Sequence, residues 1–332
     1  NDTGDIMKNI VIIATGGTIA GSGKMGKATN YQAGKINIDE IIDSIPMINE
    51  VANLKAIQLF NVDSNEMDEK HWLILANKIN ELVDCDDVDG LVVTHGTDTL
   101  DETAYFLNLT IHTYKPVVLT GAMRPASATS ADGPMNLYQA VCLASNDEAL
   151  GHGVMALFSS TIYSGRDIQK ISNFKIDAFD QKDFGCLGYI HDDKVNMFSR
   201  TFKKHTLQSI FSKDLPESLP SVGIVYYYAG AKVEILTSMA KMHQGIVIIG
   251  SGSGNYSKAW LDEIERLNKM GIIFVRASRV NQGIVYESEI FDPNNQCIPS
   301  NTLSGQKARV LLMLAMSKTK DVSEIKRIFD EY

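Results

Sequence analysis

The sequence predicts a two-domain α/β protein. A larger N-terminal domain carries a mainly parallel sheet covered by helices, and a smaller C-terminal α/β domain follows. Three observations carry this. The chain has 332 residues, and at roughly 150 residues per domain that length suits about two domains. Hydrophobic residues make up 44 % and charged residues 21 %, enough apolar material to offset chain entropy. Short apolar runs rich in β-branched residues also alternate with longer stretches of helical periodicity, the pattern of a parallel sheet flanked by helices.

The elements follow in order. Asn9–Thr15 (NIVIIAT) reads as a strand buried on both faces, since it has no polar alternation. Lys55–Val62 is a weaker strand. Asp68–Val83 reads as a helix, with Trp72, Leu75, Ala76, Ile79, Leu82 and Val83 on one face. Gly90–Thr94 is a strand. Leu100–Ile111 is a helix whose Asp101 and Glu102 suit the positive end of its dipole. Pro116–Thr120 and Val154–Ser159 are strands, with a helix over Pro134–Ser145 between them. The alternation restarts with strands at Val222–Tyr228, Gly245–Ile249 and Ile272–Val275, and helices at Lys258–Met270, Gln306–Ser317 and Ser323–Tyr332. The expected division is 7–195, a connection over 196–219 and 220–332.

A net charge of −9 argues against a nucleic-acid surface, which needs a basic footprint, and against docking to anionic lipid. No apolar run approaches the roughly 20 residues that span a bilayer. The four cysteines (Cys85, Cys142, Cys186 and Cys297) show no C-x-x-C spacing and no histidine at zinc-ligand spacing, so they read as scattered buried thiols and no metal is expected. The first residue is Asn1. Either a cleaved leader before it or a start at Met7 fits.

In open parallel sheets ligands bind beyond the carboxyl ends of the strands. Three such ends combine glycine with hydroxyls: Thr15-Gly16-Gly17-Thr18, Thr94-His95-Gly96-Thr97-Asp98-Thr99 and Thr120-Gly121-Ala122-Met123-Arg124. Glycine lets backbone approach a ligand closely, and threonine supplies a hydroxyl. The first turn has neither G-x-G-x-x-G nor a Walker lysine, which disfavours a nucleotide. For Thr97-Asp98, capping of the following helix is the plain alternative. The glycine-rich stretch 21–34 reads as a lid. A threonine nucleophile needs a base. His95, Tyr31 or a desolvated lysine would serve, and pattern does not choose among them.

Ala14-Thr15-Gly16-Gly17-Thr18-Ile19-Ala20 and Thr94-His95-Gly96-Thr97-Asp98-Thr99 resemble the two signature motifs of bacterial L-asparaginases. The likeness is to the type II-like members of the asparaginase/glutaminase family. It extends through Gly121–Pro125, Ser130–Leu137, Gly165-Arg166-Asp167 and Gln306–Leu312. The resemblance implies hydrolysis of L-asparagine to L-aspartate and ammonia through a β-aspartyl ester, without a cofactor.

By resemblance, Thr18 is the nucleophile and Tyr31 its hydrogen-bonding partner. Thr97, Asp98 and Lys170 form a second array, with Thr97 positioning water and the oxyanion. Ser64 and the Asp98 region hold the substrate carboxylate. Asp98, Asn65 and Glu289 of a neighbouring subunit hold the amine, and Asn255 also reaches across the interface. The assembly implied is a homotetramer, a dimer of intimate dimers.

Two departures matter. Asn65 stands where family members commonly carry Gln or Glu, so glutamine turnover is expected to be weak. Some exported relatives have a disulfide near Cys85, but its partner position, around Thr113 and Tyr114, holds no cysteine. The lid and the Ser64–Met67 motif lean toward the exported group, so the expected location is periplasmic, with cytoplasmic as the alternative. The asparaginase-like subunit of a tRNA-dependent amidotransferase fits less well, because it carries an extra domain before the first motif. A non-catalytic amino-acid sensor would not need the threonines and lysine.

Overall fold

The computed structural model describes residues 6–23, 31–32 and 37–332, with the side chains of 23, 31 and 32 outside that description. The chain divides into two compact units, 1–215 and 216–332.

The first unit opens with β1 (Asn9–Gly16), then β2 (Ser22–Gly23) and β3 (Tyr31–Gln32), which pair antiparallel. Two short helices follow, α1 (Ile38–Asp43) and α2 (Ile48–Val51), then β4 (Asn53–Val62) and α3 (Glu69–Val83). Next come β5 (Gly90–Thr94), α4 (Leu100–Thr110), β6 (Val117–Thr120), α5 (Gly133–Ala144) and β7 (Val154–Phe158). The unit continues with β8 (Thr161–Ser164), β9 (Gln169–Lys170), β10 (Phe179–Asp180), β11 (Gly188–His191) and β12 (Lys194–Met197).

Its main sheet has the order β12-β11-β8-β7-β6-β5-β1-β4. Strands β4, β1, β5, β6 and β7 run parallel, and β8, β11 and β12 add antiparallel neighbours. Strands β5, β6 and β7 are buried throughout, as the unbroken apolar runs require when helices cover both faces. Beneath α5 the core gathers Ile10, Ile12, Val92, Val118, Leu137 and Val141. The weaker strand, β4, lies at the sheet edge and alternates in exposure. Its amphipathic sequence records one free side.

Topology locates the site. The chain leaves β1 for β4 on one side, then returns past β1 to reach β5 on the other. The order therefore reverses around β1, and such a switch point opens a crevice beyond the strand ends.

The second unit contains β13 (Val222–Tyr226), α6 (Glu234–Met239), β14 (Gly245–Gly250), α7 (Lys258–Lys269), β15 (Ile273–Ser278) and β16 (Ile298–Pro299). Helices α8 (Gly305–Lys318) and α9 (Val322–Glu331) close it. Its sheet is parallel in the order β13-β14-β15-β16. Trp260, Ile264 and Leu267 of α7 pack on Ile246, Ile248 and Phe274.

The stretch expected as a connection, 196–219, is more structured than its sequence suggests. Asn196 and Met197 end β12. Ser209 Oγ donates to the Leu109 carbonyl at 2.5 Å, and Phe211 is buried. Cys142 and Cys297 are buried as expected, but Cys85 is exposed and Cys186 half-buried, and all four are free thiols. No helix among the described residues is long and apolar enough to cross a membrane.

Candidate active site

Four glycines let four loops touch. A side chain on Gly16 would meet the Val62 carbonyl at 2.4 Å, and one on Gly17 would meet the Gly96 Cα at 2.5 Å. On Gly96 it would strike Ser64 Cβ at 2.6 Å, and on Gly121 the His95 carbonyl at 2.3 Å. Gly16 and Gly17 also have φ of 111° and 89°, values that side-chain-bearing residues rarely adopt. The ends of β1, β4, β5 and β6 are thus packed together, backbone on backbone at Gly16, Gly17 and Gly121 and backbone on the Ser64 side chain at Gly96. Thr18 follows in a short 3₁₀ turn, 8 % exposed.

These loops enclose a cavity of about 180 Å³, lined by Gly17, Thr18, Asp63, Ser64, Gly96, Thr97, Asp98, Met123, Lys170 and Asn173. Drug-sized ligands occupy about 300–1,000 Å³, so this space suits a smaller polar molecule.

Lys170 comes from β9, held by its pairing with Phe179 of β10. Its ammonium donates to Thr97 Oγ1 at 2.8 Å and to Asp98 Oδ1 at 2.6 Å. Lys170 is 16 % exposed and Asp98 55 %. The hydrogen bond from Lys170 holds the Asp98 carboxyl below the usual carboxylate range, against the partial burial that opposes ionisation. Asp98 is therefore an anion near neutrality. Its second oxygen accepts from the Asn65 amide at 3.2 Å. The same amide donates to Asp63 Oδ1 at 2.9 Å, and Asp63 also accepts from Asn65 N at 2.8 Å. Asp63 thereby fixes the Ser64–Glu66 turn.

The capping alternative for Thr97-Asp98 does not hold. The residue before α4 is Thr99, and its hydroxyl donates to the Ser64 carbonyl at 2.8 Å. That bond ties the β4 and β5 loops, leaving Thr97 and Asp98 to Lys170.

His95 is no base for this cavity. It is fully buried, and burial pushes it down to about 4, partly opposed by the Gly96 carbonyl. Thr103 Oγ1 accepts from Trp72 Nε1 at 2.8 Å and so donates its own proton to His95 Nε2 at 2.8 Å. His95 Nδ1 then carries hydrogen toward the Gly96 carbonyl at 2.6 Å. The imidazole is a neutral brace beneath the second motif.

Two family models match the chain: "Asparaginase, N-terminal" over residues 9–203 and "Glutaminase/Asparaginase C-terminal domain" over 221–329. The chain belongs to the asparaginase/glutaminase family. It is an amidohydrolase of the L-asparaginase kind. It is 43 % identical to a protein named probable periplasmic L-asparaginase from Haemophilus influenzae, covering 98 % of this chain and 93 % of that one. It is 42 % identical to L-asparaginase 2 of Escherichia coli, over 98 % and 94 %. It is also 39 % identical to a glutaminase-asparaginase of Pseudomonas fluorescens, over 98 % and 91 %. A crystal structure described as a probable cytoplasmic L-asparaginase from Campylobacter jejuni superposes with a TM-score of 0.95 at 44 % identity, covering 98 % of this chain and all of that one.

Of the site residues expected from the asparaginase resemblance, Thr18, Ser64, Thr97, Asp98 and Lys170 line the cavity, and Asn65 reaches it through Asp98. The Tyr31 side chain lies outside the described residues, as does most of the expected lid. Asn255 and Glu289 belong to the second unit. There Asn255 is half-buried in a turn closed by its own backbone, and Glu289 is exposed. Met123 lies in the third strand-end motif, though no role was expected of it, and sequence reading missed Asp63 and Asn173 in the lining. Asp63 had a signal, as an aspartate two residues before Asn65 at a strand end.

Proposed function

We propose that this amidohydrolase converts L-asparagine to L-aspartate and ammonia through an ester on Thr18. The observation that carries the reading is that Thr18 shares one small polar cavity with the Lys170–Thr97–Asp98 array. Thr18 Oγ attacks the side-chain amide carbon, and the carbonyl electrons move onto oxygen. Collapse expels the amide nitrogen, which leaves as ammonia with the proton from Thr18, and a β-aspartyl ester remains. Water then adds to the ester, L-aspartate leaves, and Thr18 recovers its proton.

Tyr31 is the proposed hydrogen-bonding partner of Thr18. The ammonium of Lys170 donates to Thr97, so the Thr97 hydroxyl keeps its own hydrogen for the attacking water, and the Thr97 backbone N–H serves the oxyanion. Ser64 and the Asp98 loop receive the α-carboxylate. The ionised Asp98 receives the α-ammonium on Oδ2, the oxygen not taken by Lys170, beside Asn65. Glu289 and Asn255 from a neighbouring copy complete that pocket within a homotetramer, a dimer of intimate dimers. The α-groups so held align the amide for attack.

Glutamine turnover is weak in this reading. The Asn65 amide is short and is spanned between Asp63 and Asp98, and a substrate longer by one methylene has to shift its reacting carbon. A periplasmic location agrees with the name of the Haemophilus influenzae relative. Fractionation with compartment markers checks it.

Acid-quenched mass spectrometry during asparagine turnover is the direct test. A β-aspartyl adduct on the Thr18 peptide, with ammonia release lost in Thr18→Val, is expected. A Thr18→Val enzyme that still releases ammonia at the parent rate overturns the assignment. Comparable kcat/KM for glutamine and asparagine overturns the specificity.

A further inference from the structure

Arg276 stands out in the second unit. It sits in β15, a strand otherwise apolar but for its last residue, Ser278, and is 2 % exposed. A buried guanidinium normally finds a carboxylate. Among the described residues this one has none within ion-pairing distance. It is spent on backbone: Nε donates to the Gly254 carbonyl at 3.2 Å, Nη2 to Gly254 at 3.2 Å and Ser253 at 3.1 Å, and Nη1 to Tyr286 at 3.0 Å.

Those carbonyls belong to two separate segments. Ser253 and Gly254 immediately precede Asn255, and Tyr286 lies three residues before Glu289. The segments have little regular structure to hold them. The first is a turn closed by Ser251 and Asn255, and the second touches β-structure through one bridge between Val285 and Asn301. Gly254 has φ of 83°, and a Cβ there would meet Val285, the Ala277 carbonyl and Arg276 Nη2. Ser278, on the same strand, ties the turn again by donating to the Gly252 carbonyl.

We propose that Arg276 is a positioning residue. By gathering the carbonyls of both segments onto one planar cation, it sets the spacing of Asn255 and Glu289 and thereby tunes recognition of the substrate's α-ammonium. The inference rests on the reading that those two residues hold that ammonium. Arg276 touches no substrate. It acts by fixing the segments that do, and a fork of five donors does this where the single point of a lysine ammonium does not.

The test compares competitive inhibition by L-aspartate and by succinate, the same dicarboxylate without the amine. The succinate inhibition constant divided by that of L-aspartate reports ammonium recognition alone. In Arg276→Lys, at least one carbonyl loses its partner, and the ratio is expected to fall about tenfold, most of it through weaker aspartate binding. The asparagine KM should rise while kcat changes much less. Ser278→Ala, which removes one hydrogen bond to the same turn, should lower the ratio about threefold. It decides the matter if Arg276→Lys does not fold. A general structural weakening would affect both inhibitors alike, so an unchanged ratio in a folded variant overturns the proposal. Glu289→Ala separates the two layers. If it leaves the ratio unchanged, the reading of Glu289 fails. If it lowers the ratio and Arg276→Lys does not, only the positioning role fails.

Discussion

The loops of the first unit and the two loop segments of the second are held by opposite means. In the first, Gly16, Gly17 and Gly121 let main chains touch, and Gly96 lets the Ser64 side chain lie directly on the backbone. In the second, one long buried side chain, Arg276, reaches out to carbonyls of two separate segments, at Ser253 and Tyr286. Direct backbone contact leaves almost no freedom, which suits a nucleophile whose misplacement by about 1 Å can slow reaction 100-fold. A side-chain tether is more compliant, and it suits groups that only orient a substrate.

The comparison is broken most directly at the polar centre of the first unit. Lys170→Met removes the cation that joins Thr97 to Asp98, and kcat should drop on the order of 1,000-fold, with little loss of fold by circular dichroism. Retention of more than a tenth of the activity would show that the array is not used. Next comes Gly17→Ala. Its methyl would meet Gly96 at 2.5 Å, on a backbone with φ of 89°. A stability loss of about 2–4 kcal/mol is expected from strain and overpacking together, along with a fall in kcat of about 100-fold. Urea unfolding and steady-state assays report the two.

Between pH 7 and pH 5, acid should weaken the first unit through its histidines. Burial lowers the pKa of His95, His152 and His205, all of which lie there. A histidine lowered on folding adds full stability above its unfolded value near 6.5 and loses it as pH falls toward its folded value. For His95 that window runs from 6.5 to about 4, worth about 3 kcal/mol at most. Hydrogen exchange at pH 7 and pH 5 should show faster opening of α4 and β5, and His95→Gln should flatten that dependence. Asp98 acts in the same direction at lower pH, because its carboxyl is lowered. The smallest effect belongs to Gly283→Ala, which has φ of 107° but nothing within 4 Å of its Cβ position. Only backbone strain remains, about 1 kcal/mol, with kcat unchanged. A loss as large as that of Gly17→Ala would dissolve the contrast.

Legibility followed burial and length. Strands β5, β6 and β7 were readable because both faces are covered, and α3 because fifteen residues display its period. The hairpin of β11 and β12 was not, since four residues of mixed exposure give no period to count. Helices α1 and α2 were missed for the same shortness. Around the cavity, Thr18, Thr97 and Met123 stand in motifs, but Asn173 has no pattern of its own. Arg276 left a trace that went unread, a lone cation within Ile273–Ser278.

The sequence by itself determined the two-unit α/β architecture, the family and the residue types at the strand ends. Local periodicity and motif spacing are properties of neighbours along the chain, so they survive without coordinates. Tertiary structure decided what each group faces. It directed Thr99 to the Ser64 carbonyl rather than to a cap, withdrew His95 into the core, and brought Lys170 across 72 residues of chain to Asp98. Those outcomes depend on which loops the strand order β4-β1-β5 brings together. Hydrogen bonds and burial between residues far apart in sequence follow from that order and from no local pattern.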